Sequence, residues 1–256
     1  HNLKLPALAD TFERLAEAGI NDFYRGDVAQ SIARELEAAG SPIRADDLAQ
    51  HKALTVEPLS VTLKSGTAYT LPPPTQGLAS MMILGICERL GVSEAESFAH
   101  VHSIVEASKL AFRVRDRYVS DPTYMTIDPA NFLADDMLDQ LAAEIDPKTA
   151  LPWPEISELG DTVWLGAMDC DGCAVSLIQS IYWEFGSGVV LPETGIVWQN
   201  RGTSFSLDPD SSNPLTPGRR PFHTIHPSMA TLKDGRYMVY GTMGGEGQPQ
   251  TQAAIF

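Results

Sequence analysis

The hydrophobic period of this chain changes once, and that change limits what it can fold into. Up to about residue 145 apolar side chains recur mostly at helical spacing, and from Thr162 onward they alternate at period two. A helical first half followed by a strand-rich second half predicts an α+β fold. Pro6 opens a first helix with the stripe Leu5, Leu8, Phe12 and Leu15, and Gly19 stops it. A second helix runs from Asp27, taken as its N-cap, through Ile32 and Leu36 to Gly40, and a short one covers Ala45–Gln50. Leu59, Val61 and Leu63 alternate ahead of Ser65-Gly66 and predict a β-hairpin within Leu54–Leu71, ended by Pro72-Pro73-Pro74. Leu78–Leu90 reads as a buried helix. Ser93 and Glu96 read as a capping box for a long amphipathic helix with Phe98, Val101, Val105, Ser108 and Phe112 on one face. A further helix covers Ala134–Glu144. Strands are expected at Thr162–Met168 and Ala174–Tyr182, and a hairpin joins Ser228–Leu232 to Tyr237–Gly241 around Lys233-Asp234-Gly235.

The chain has 256 residues, 43% of them hydrophobic, enough to fill a core. Its best apolar run, Met81–Cys87, stops at Glu88-Arg89, short of the 18 or so residues a membrane helix needs. With 18 Lys and Arg against 33 Asp and Glu, the net charge of −15 sets nucleic acid and anionic membrane aside as partners and leaves small molecules and proteins. Three cysteines do not make a disulfide framework, and a reducing, cytoplasmic setting is expected, with periplasmic or secreted as the alternative. The start His1-Asn2-Leu3-Lys4 lacks both Met and a signal-peptide pattern, so the chain is expected to be a piece of a longer protein. Cys170-x-x-Cys173 has no second ligand pair and reads as a turn, and His223-x-x-His226 has no acidic or Cys partner nearby. No metal site and no cofactor is expected.

The segment Asp146–Gly160, with Pro147, Pro152 and Pro154, has no periodicity and runs straight into the strand that begins at Thr162. The turn at residues 169–173 allows two registers. If Asp171-Gly172 is a two-residue loop, Cys170 faces Cys173 and Thr162 lies opposite Ile181. If Cys170-Asp171-Gly172 is a three-residue loop with Gly172 left-handed, Asp169 faces Cys173 and Thr162 lies opposite Ser180. Only the second sets two hydroxyls side by side, one to attack and one to orient it.

Around this hairpin the residues Gly160-Asp161-Thr162, Asp171-Gly172-x-Ala174-Val175-Ser176, Phe185-Gly-Ser-Gly188, Gly195-Ile196, Pro217-Gly-x-Arg-Pro221, His226-Pro227 and Gly241-x-x-Gly244-Gly245 occur in order. That string resembles the start of the small subunit in the γ-glutamyltransferase family. Asp46-Asp47-Leu48, Glu57-Pro58-Leu59, Pro72-Pro73-Pro74 and Lys109-Leu-Ala-Phe-x-x-Arg-Asp-Arg-Tyr118 resemble the end of its large subunit. The resemblance implies an N-terminal-nucleophile hydrolase with an αββα sandwich, here partial because family members are about twice this length. It implies a large-subunit part over residues 1–161 and a small-subunit part over 162–256. Thr162 would cut the bond after Asp161 and become a new N-terminus whose α-amine serves as base. Ser180 stands where the family has a second hydroxyl, and Gly244 and Gly245 where its oxyanion hole lies.

Where glutathione-cleaving members hold the γ-glutamyl ammonium and carboxylate, this chain has Tyr182, Arg201, Ser204, His223 and Thr224. A pocket that loses a carboxylate and gains Arg201 attracts an anion and repels an ammonium. The pattern at Trp164, Glu184-Phe185 and Trp198-Gln199-Asn200-Arg201 is similar to the oxamate-cleaving branch of the family. The expectation is a self-processing amidohydrolase acting on a small anionic amide. Its alternatives are a γ-glutamyltransferase or glutathione hydrolase and an unprocessed, non-catalytic homologue. Arg201 stands between substrate clamp and internal ion-pair partner, and Arg219-Arg220 read as structural. The partners implied are an amide substrate, the remaining parts of the precursor as a large/small subunit heterodimer, and a second copy for cover.

Overall fold

The computed structural model describes residues 3–153 and 162–256. They form two compact units interleaved along the chain, His1–Thr55 with Phe185–Asn200 and Val56–Glu184 with Arg201–Phe256.

The first unit is helical. It contains α1 (Pro6–Ala18), α2 (Asp22–Arg25), α3 (Asp27–Ala38) and α4 (Ala45–Gln50). Val28, Ala29, Ile32, Ala33 and Leu36 line one side of α3 and bury with Leu48 and Leu191. Asp27 is the first residue of α3, not its cap. The free N–H groups of Asp27 and Val28 are taken by the carboxylate of Asp22 at 3.2 and 3.1 Å, one turn upstream. Glu35, 8% exposed, lies on the buried side of α3 and accepts from Glu193 N–H at 2.6 Å and Thr194 Oγ1 at 3.1 Å. Thr11 Oγ1 donates to the Thr194 carbonyl at 2.8 Å, so residues 193–194 are held from two helices.

The second unit contains β1 (Leu59–Thr62), β2 (Gly66–Thr70), α5 (Gly77–Leu90), α6 (Phe98–Tyr118), α7 (Asp135–Ala143), β3 (Val163–Met168), β4 (Ala174–Gln179), β5 (Ser228–Leu232), β6 (Tyr237–Tyr240) and α8 (Gln248–Ile255). A four-stranded antiparallel sheet has the order β1-β2-β5-β6, so the hairpin predicted in the helical half pairs with the one predicted in the strand-rich half, Ala68 opposite Ala230. One face of this sheet, with Leu59, Val61 and Ala68, packs on α5, whose residues Gly77–Ile86 are all buried. On the other face Val239 meets Gly166 of β3, where a Cβ added to the glycine would lie 3.0 Å from Val239 Cγ2. Helices, sheet and the β3–β4 pair are therefore layered in that order, an α+β arrangement.

The long helix differs from its predicted form. It starts at Phe98 with Ser97 as its cap, Ser97 Oγ accepting from His100 N–H at 3.1 Å, and the Ser93–Glu96 box does not open it. Of the expected face Ser108 and Phe112 are buried but Phe98, Val101 and Val105 are exposed, and Ser103, Glu106, Ala107, Leu110 and Ala111 are buried instead. An ion pair inside that buried face misleads a count of apolar positions. Glu106 and Lys109 lie 2.6 Å apart and together grip Leu151, Glu106 accepting from its N–H at 2.8 Å and Lys109 donating to its carbonyl at 2.7 Å.

The buried Glu35 carboxylate accepts from two donors, Glu193 N–H and Thr194 Oγ1. Glu35→Ala is expected to lower stability by about 1–3 kcal/mol, and Glu35→Gln, which keeps one acceptor oxygen, by less. Urea denaturation of the two variants beside the parent protein checks the order.

Candidate active site

The site begins with a turn. Asp169 faces Cys173, with Asp169 N–H donating to the Cys173 carbonyl at 3.1 Å, and Gly172 takes the left-handed conformation at φ +84°. The Asp169 carboxylate fixes the loop from inside by accepting from Asp171 and Cys173 N–H at 3.0 and 2.9 Å. This is the three-residue loop, and it sets the register Met168 opposite Ala174 through Val163 opposite Gln179. One step further, Thr162 Oγ1 donates to Ser180 Oγ at 3.1 Å. The other register, with Thr162 opposite Ile181, is not the one formed.

Ser180 is itself held. Its Oγ accepts from Tyr182 N–H at 2.9 Å, and Tyr182 itself adopts φ +82°, a conformation uncommon in residues other than glycine. The same backbone twist presents the Tyr182 ring to Arg201, whose guanidinium carbon lies 3.9 Å from the ring centroid. Arg201, 7% exposed, opens the short 3₁₀ turn Arg201–Ser204 and donates from Nη1 to Thr224 Oγ1 at 3.3 Å. Burial lowers its pKa to about 10 against the pull of Tyr182 and Glu246, which leaves a cation at neutral pH. Beside it, burial and then the Arg201 charge push His223 down to about 3, so this imidazole is neutral, and its Nδ1 accepts from Ile225 N–H at 3.4 Å. His226 is fully buried and also neutral, with its pKa near 4, and its Nδ1 lies 3.1 Å from the Thr224 carbonyl. Ser204 joins the group as support: its hydroxyl lies within hydrogen-bond reach of two carbonyls, Arg201 at 2.9 Å and Phe222 at 2.8 Å, with one proton to give to either.

The segment that leads to the glycine pair starts against β3 at Gly241. Trp164, two residues after Thr162, donates from Nε1 to Ser176 Oγ at 2.9 Å and lays its indole on Gly241, where an added Cβ would fall 2.2 Å from the ring. The chain then turns through Gly244 at φ +92° to Gly245. The Gly244 and Gly245 N–H groups donate to no acceptor among the described residues, whereas the Gly245 carbonyl accepts from Gln76 Nε2 at 2.8 Å. The structure thus brings Thr162 and Ser180 together, brings Tyr182, Arg201, Ser204, His223 and Thr224 together, and leaves two backbone donors available at Gly244-Gly245. Asp161 lies outside the described residues. Gln76, Arg115 and Glu246, which hold the glycine loop, were not foreseen, because a polar residue at the mouth of a buried helix carries no periodic signal.

A sequence profile described as gamma-glutamyltranspeptidase matches residues 1–256. The chain belongs to this family. It is 53% identical to an oxamate amidohydrolase proenzyme of Klebsiella pneumoniae, over 98% of this chain and 48% of that protein. It is 41% identical to a glutathione hydrolase-like proenzyme of Bacillus subtilis, over 97% of this chain and 47% of that one. Among solved structures, a cephalosporin acylase from Bacillus halodurans matches with a TM-score of 0.86 at 38% identity, over 95% of this chain and 45% of that chain. The chain therefore spans about half the length of the relatives it matches.

Among the described residues no group of three or more His, Cys, Asp or Glu side chains could hold a metal ion, and no helix is long and apolar enough to cross a membrane. Cys170 and Cys173 are free and exposed, and burial pushes the Cys87 thiol up to about 12. Arg219 and Arg220 are committed elsewhere. Arg219 lies over the Tyr124 ring and donates to the Ser212 carbonyl, while Arg220 donates to Asp121 through both its backbone N–H and its guanidinium at 2.9 Å. Burial alone would raise the Asp121 carboxyl; the Arg220 guanidinium and the N–H groups of Arg220 and Thr123 outweigh it and hold the pKa at about 2. The stabilisation from this depressed carboxylate is complete above its unfolded value near 4 and fades as pH falls toward 2. Asp121→Asn is expected to cost about 1–2 kcal/mol at pH 7 and to converge on the parent protein near pH 2, as urea melts across pH 2–7 will show.

Proposed function

We propose that the full-length protein is a self-processing amidohydrolase whose nucleophile is Thr162 and whose substrate is a small anionic amide such as oxamate. The observation that carries this reading is the Thr162 Oγ1 to Ser180 Oγ hydrogen bond of 3.1 Å at the head of β3. Thr162 Oγ1 attacks the carbonyl of Asp161, the peptide C–N bond breaks as the acyl group passes to oxygen, and water hydrolyses the ester. The cut releases an α-amine whose ordinary pKa of about 7.7–8.0 suits it to take the proton from its own hydroxyl. Residues 1–161 and 162–256 then belong to large and small subunits of a heterodimer. In turnover, Thr162 Oγ1 adds to the substrate amide carbon and the N–H groups of Gly244 and Gly245 receive the charge that develops on the oxygen. Ammonia leaves with the proton held by the α-amine, and water resolves the acyl-enzyme.

The substrate class rests on charge. Arg201, buried and cationic beside a neutral His223, stands in a chain of net charge −15. An acyl group carrying a carboxylate matches that cation, whereas the ammonium of a γ-glutamyl group meets no carboxylate among Tyr182, Arg201, Ser204, His223 and Thr224. The relative named oxamate amidohydrolase supports the same choice.

The test is ammonia release from oxamate compared with release from a γ-glutamyl anilide, together with the mass of the purified full-length protein. The parent protein is expected to be cut between Asp161 and Thr162 and to prefer oxamate. Thr162→Ala is expected to remain one polypeptide with no turnover, and Arg201→Gln to lose about 10²-fold or more in kcat/KM for oxamate. Turnover of the anilide alone, or a parent protein that stays uncut, overturns the reading.

A further inference from the structure

The loop that supplies the two backbone donors is gripped from behind by a side chain that no part of the proposed chemistry uses. Gln76 is fully buried at the mouth of α5. Its Nε2 donates to two carbonyls, Thr224 at 2.7 Å and Gly245 at 2.8 Å, and its Oε1 accepts from Arg115 Nη1 at 3.0 Å. Both amide protons face acceptors and the amide oxygen faces a group that can only donate, so a single orientation of the side chain satisfies all three bonds. Its backbone is fixed to the same place: Gln76 N–H donates to the His223 carbonyl at 2.9 Å and His223 N–H to the Pro74 carbonyl at 2.8 Å. Arg115, 7% exposed, pairs in turn with Glu246, the residue after Gly245, and lies over the Phe112 ring at 3.9 Å.

Gln76 thus ties three things to one amide: the Thr224 segment that receives Arg201, the Gly244-Gly245 loop, and an arginine that grips that loop at the next residue. The bond to the Gly245 carbonyl fixes the Gly245–Glu246 peptide plane and so anchors the loop immediately after the two N–H groups, and a loop containing two adjacent glycines has little stiffness of its own to keep them in place. We infer that Gln76 is a positioning residue for the oxyanion donors, held in place by Arg115 and acting through the Gly245 carbonyl rather than by touching substrate. This inference rests on the proposed function, because it matters to the reaction only if charge develops at Gly244-Gly245. Donors aimed at the transition state affect kcat more than ground-state binding, and that gives the inference a signature of its own.

The test uses the full-length protein with oxamate, kcat being counted per chain cut at Asp161–Thr162. Gln76→Met keeps the bulk of the side chain and removes all three hydrogen bonds. It is expected to lower kcat by about tenfold or more with KM within about threefold. If the variant stays uncut or does not fold, Glu246→Gln, which slackens the same loop from the Arg115 side, carries the test with a fall in kcat of about threefold or more under the same KM criterion. A lowered thermal midpoint with kcat per cut chain unchanged means the glutamine serves folding alone and overturns the inference, as does a change confined to KM. An active parent enzyme with an unaffected variant defeats only this inference. A parent protein that cuts neither itself nor either amide removes the catalytic reading, and this inference with it.

Discussion

The three-residue turn at Cys170–Gly172 is the constraint from which the site follows. A strand slipped by one residue turns every side chain to the opposite face, so the pairing of Thr162 with Ser180 is decided seven residues away, where Gly172 takes a left-handed conformation and Asp169 closes the loop. The same register sends Trp164 toward the sheet, onto Gly241 and within reach of Ser176, and leaves Leu165 and Leu177 facing outward. One turn therefore determines both the hydroxyl pair and the strand residue against which the glycine loop begins. At the far end of the hairpin Tyr182 N–H returns a hydrogen bond to Ser180 Oγ.

Behind this hairpin the second unit buries more charge and polarity than its core residues suggest. Arg115, Arg201, Gln76, Thr224, His226, Gln248 and Gln252 are all less than a tenth exposed. An apolar core of the same shape would be cheaper to assemble, since each polar group taken from water must be returned a hydrogen bond. The arrangement supplies fixed direction. Gln252 links Ser228 of β5 to the His226 carbonyl at 2.8 and 3.0 Å, and Gln76 links Thr224 to Gly245, so the segments converging on the site are joined by directional bonds where apolar contact would allow sliding.

Much of this was legible in the sequence, and the failures have physical causes. Helix α4, the hairpin β1–β2 and the hairpin β5–β6 follow from local period and turn chemistry, which is why they lie where expected. Helix α3 starts at Asp27 as its sequence indicates, but Asp27 is not its cap, because the carboxylate of Asp22 in the preceding turn takes the free N–H groups of Asp27 and Val28. The N-terminal part of the buried face of α6 departs from the expected one while Ser108 and Phe112 keep to it, because the Glu106–Lys109 pair is interior and burial of a charge paired across one helical turn is invisible to a rule that sorts residues by polarity. The joining of β2 to β5 across some 160 residues is a long-range pairing that no local signal encodes.

The two kinds of site information also differ in origin. Thr162, Ser180 and the glycine pair sit on strands or just beyond their ends, where alternation and turns locate them. Gln76 and Arg115 reach the site from the mouth of a buried helix and the middle of a long one, and they matter through backbone carbonyls and a neighbouring carboxylate. A support of this kind can be recognised only once the hydrogen bonds are counted, because an amide has one way to satisfy two acceptors and one donor together, and that geometry is a property of the fold. Net charge behaves similarly. The value of −15 describes the chain as a whole, while the candidate site holds a buried guanidinium, Arg201, coupled to Tyr182 and Glu246 and with neutral imidazoles beside it. A negative net charge does not decide what a buried cation such as Arg201 would bind, because screening confines surface charge to about 8–10 Å whereas a desolvated cation acts at contact.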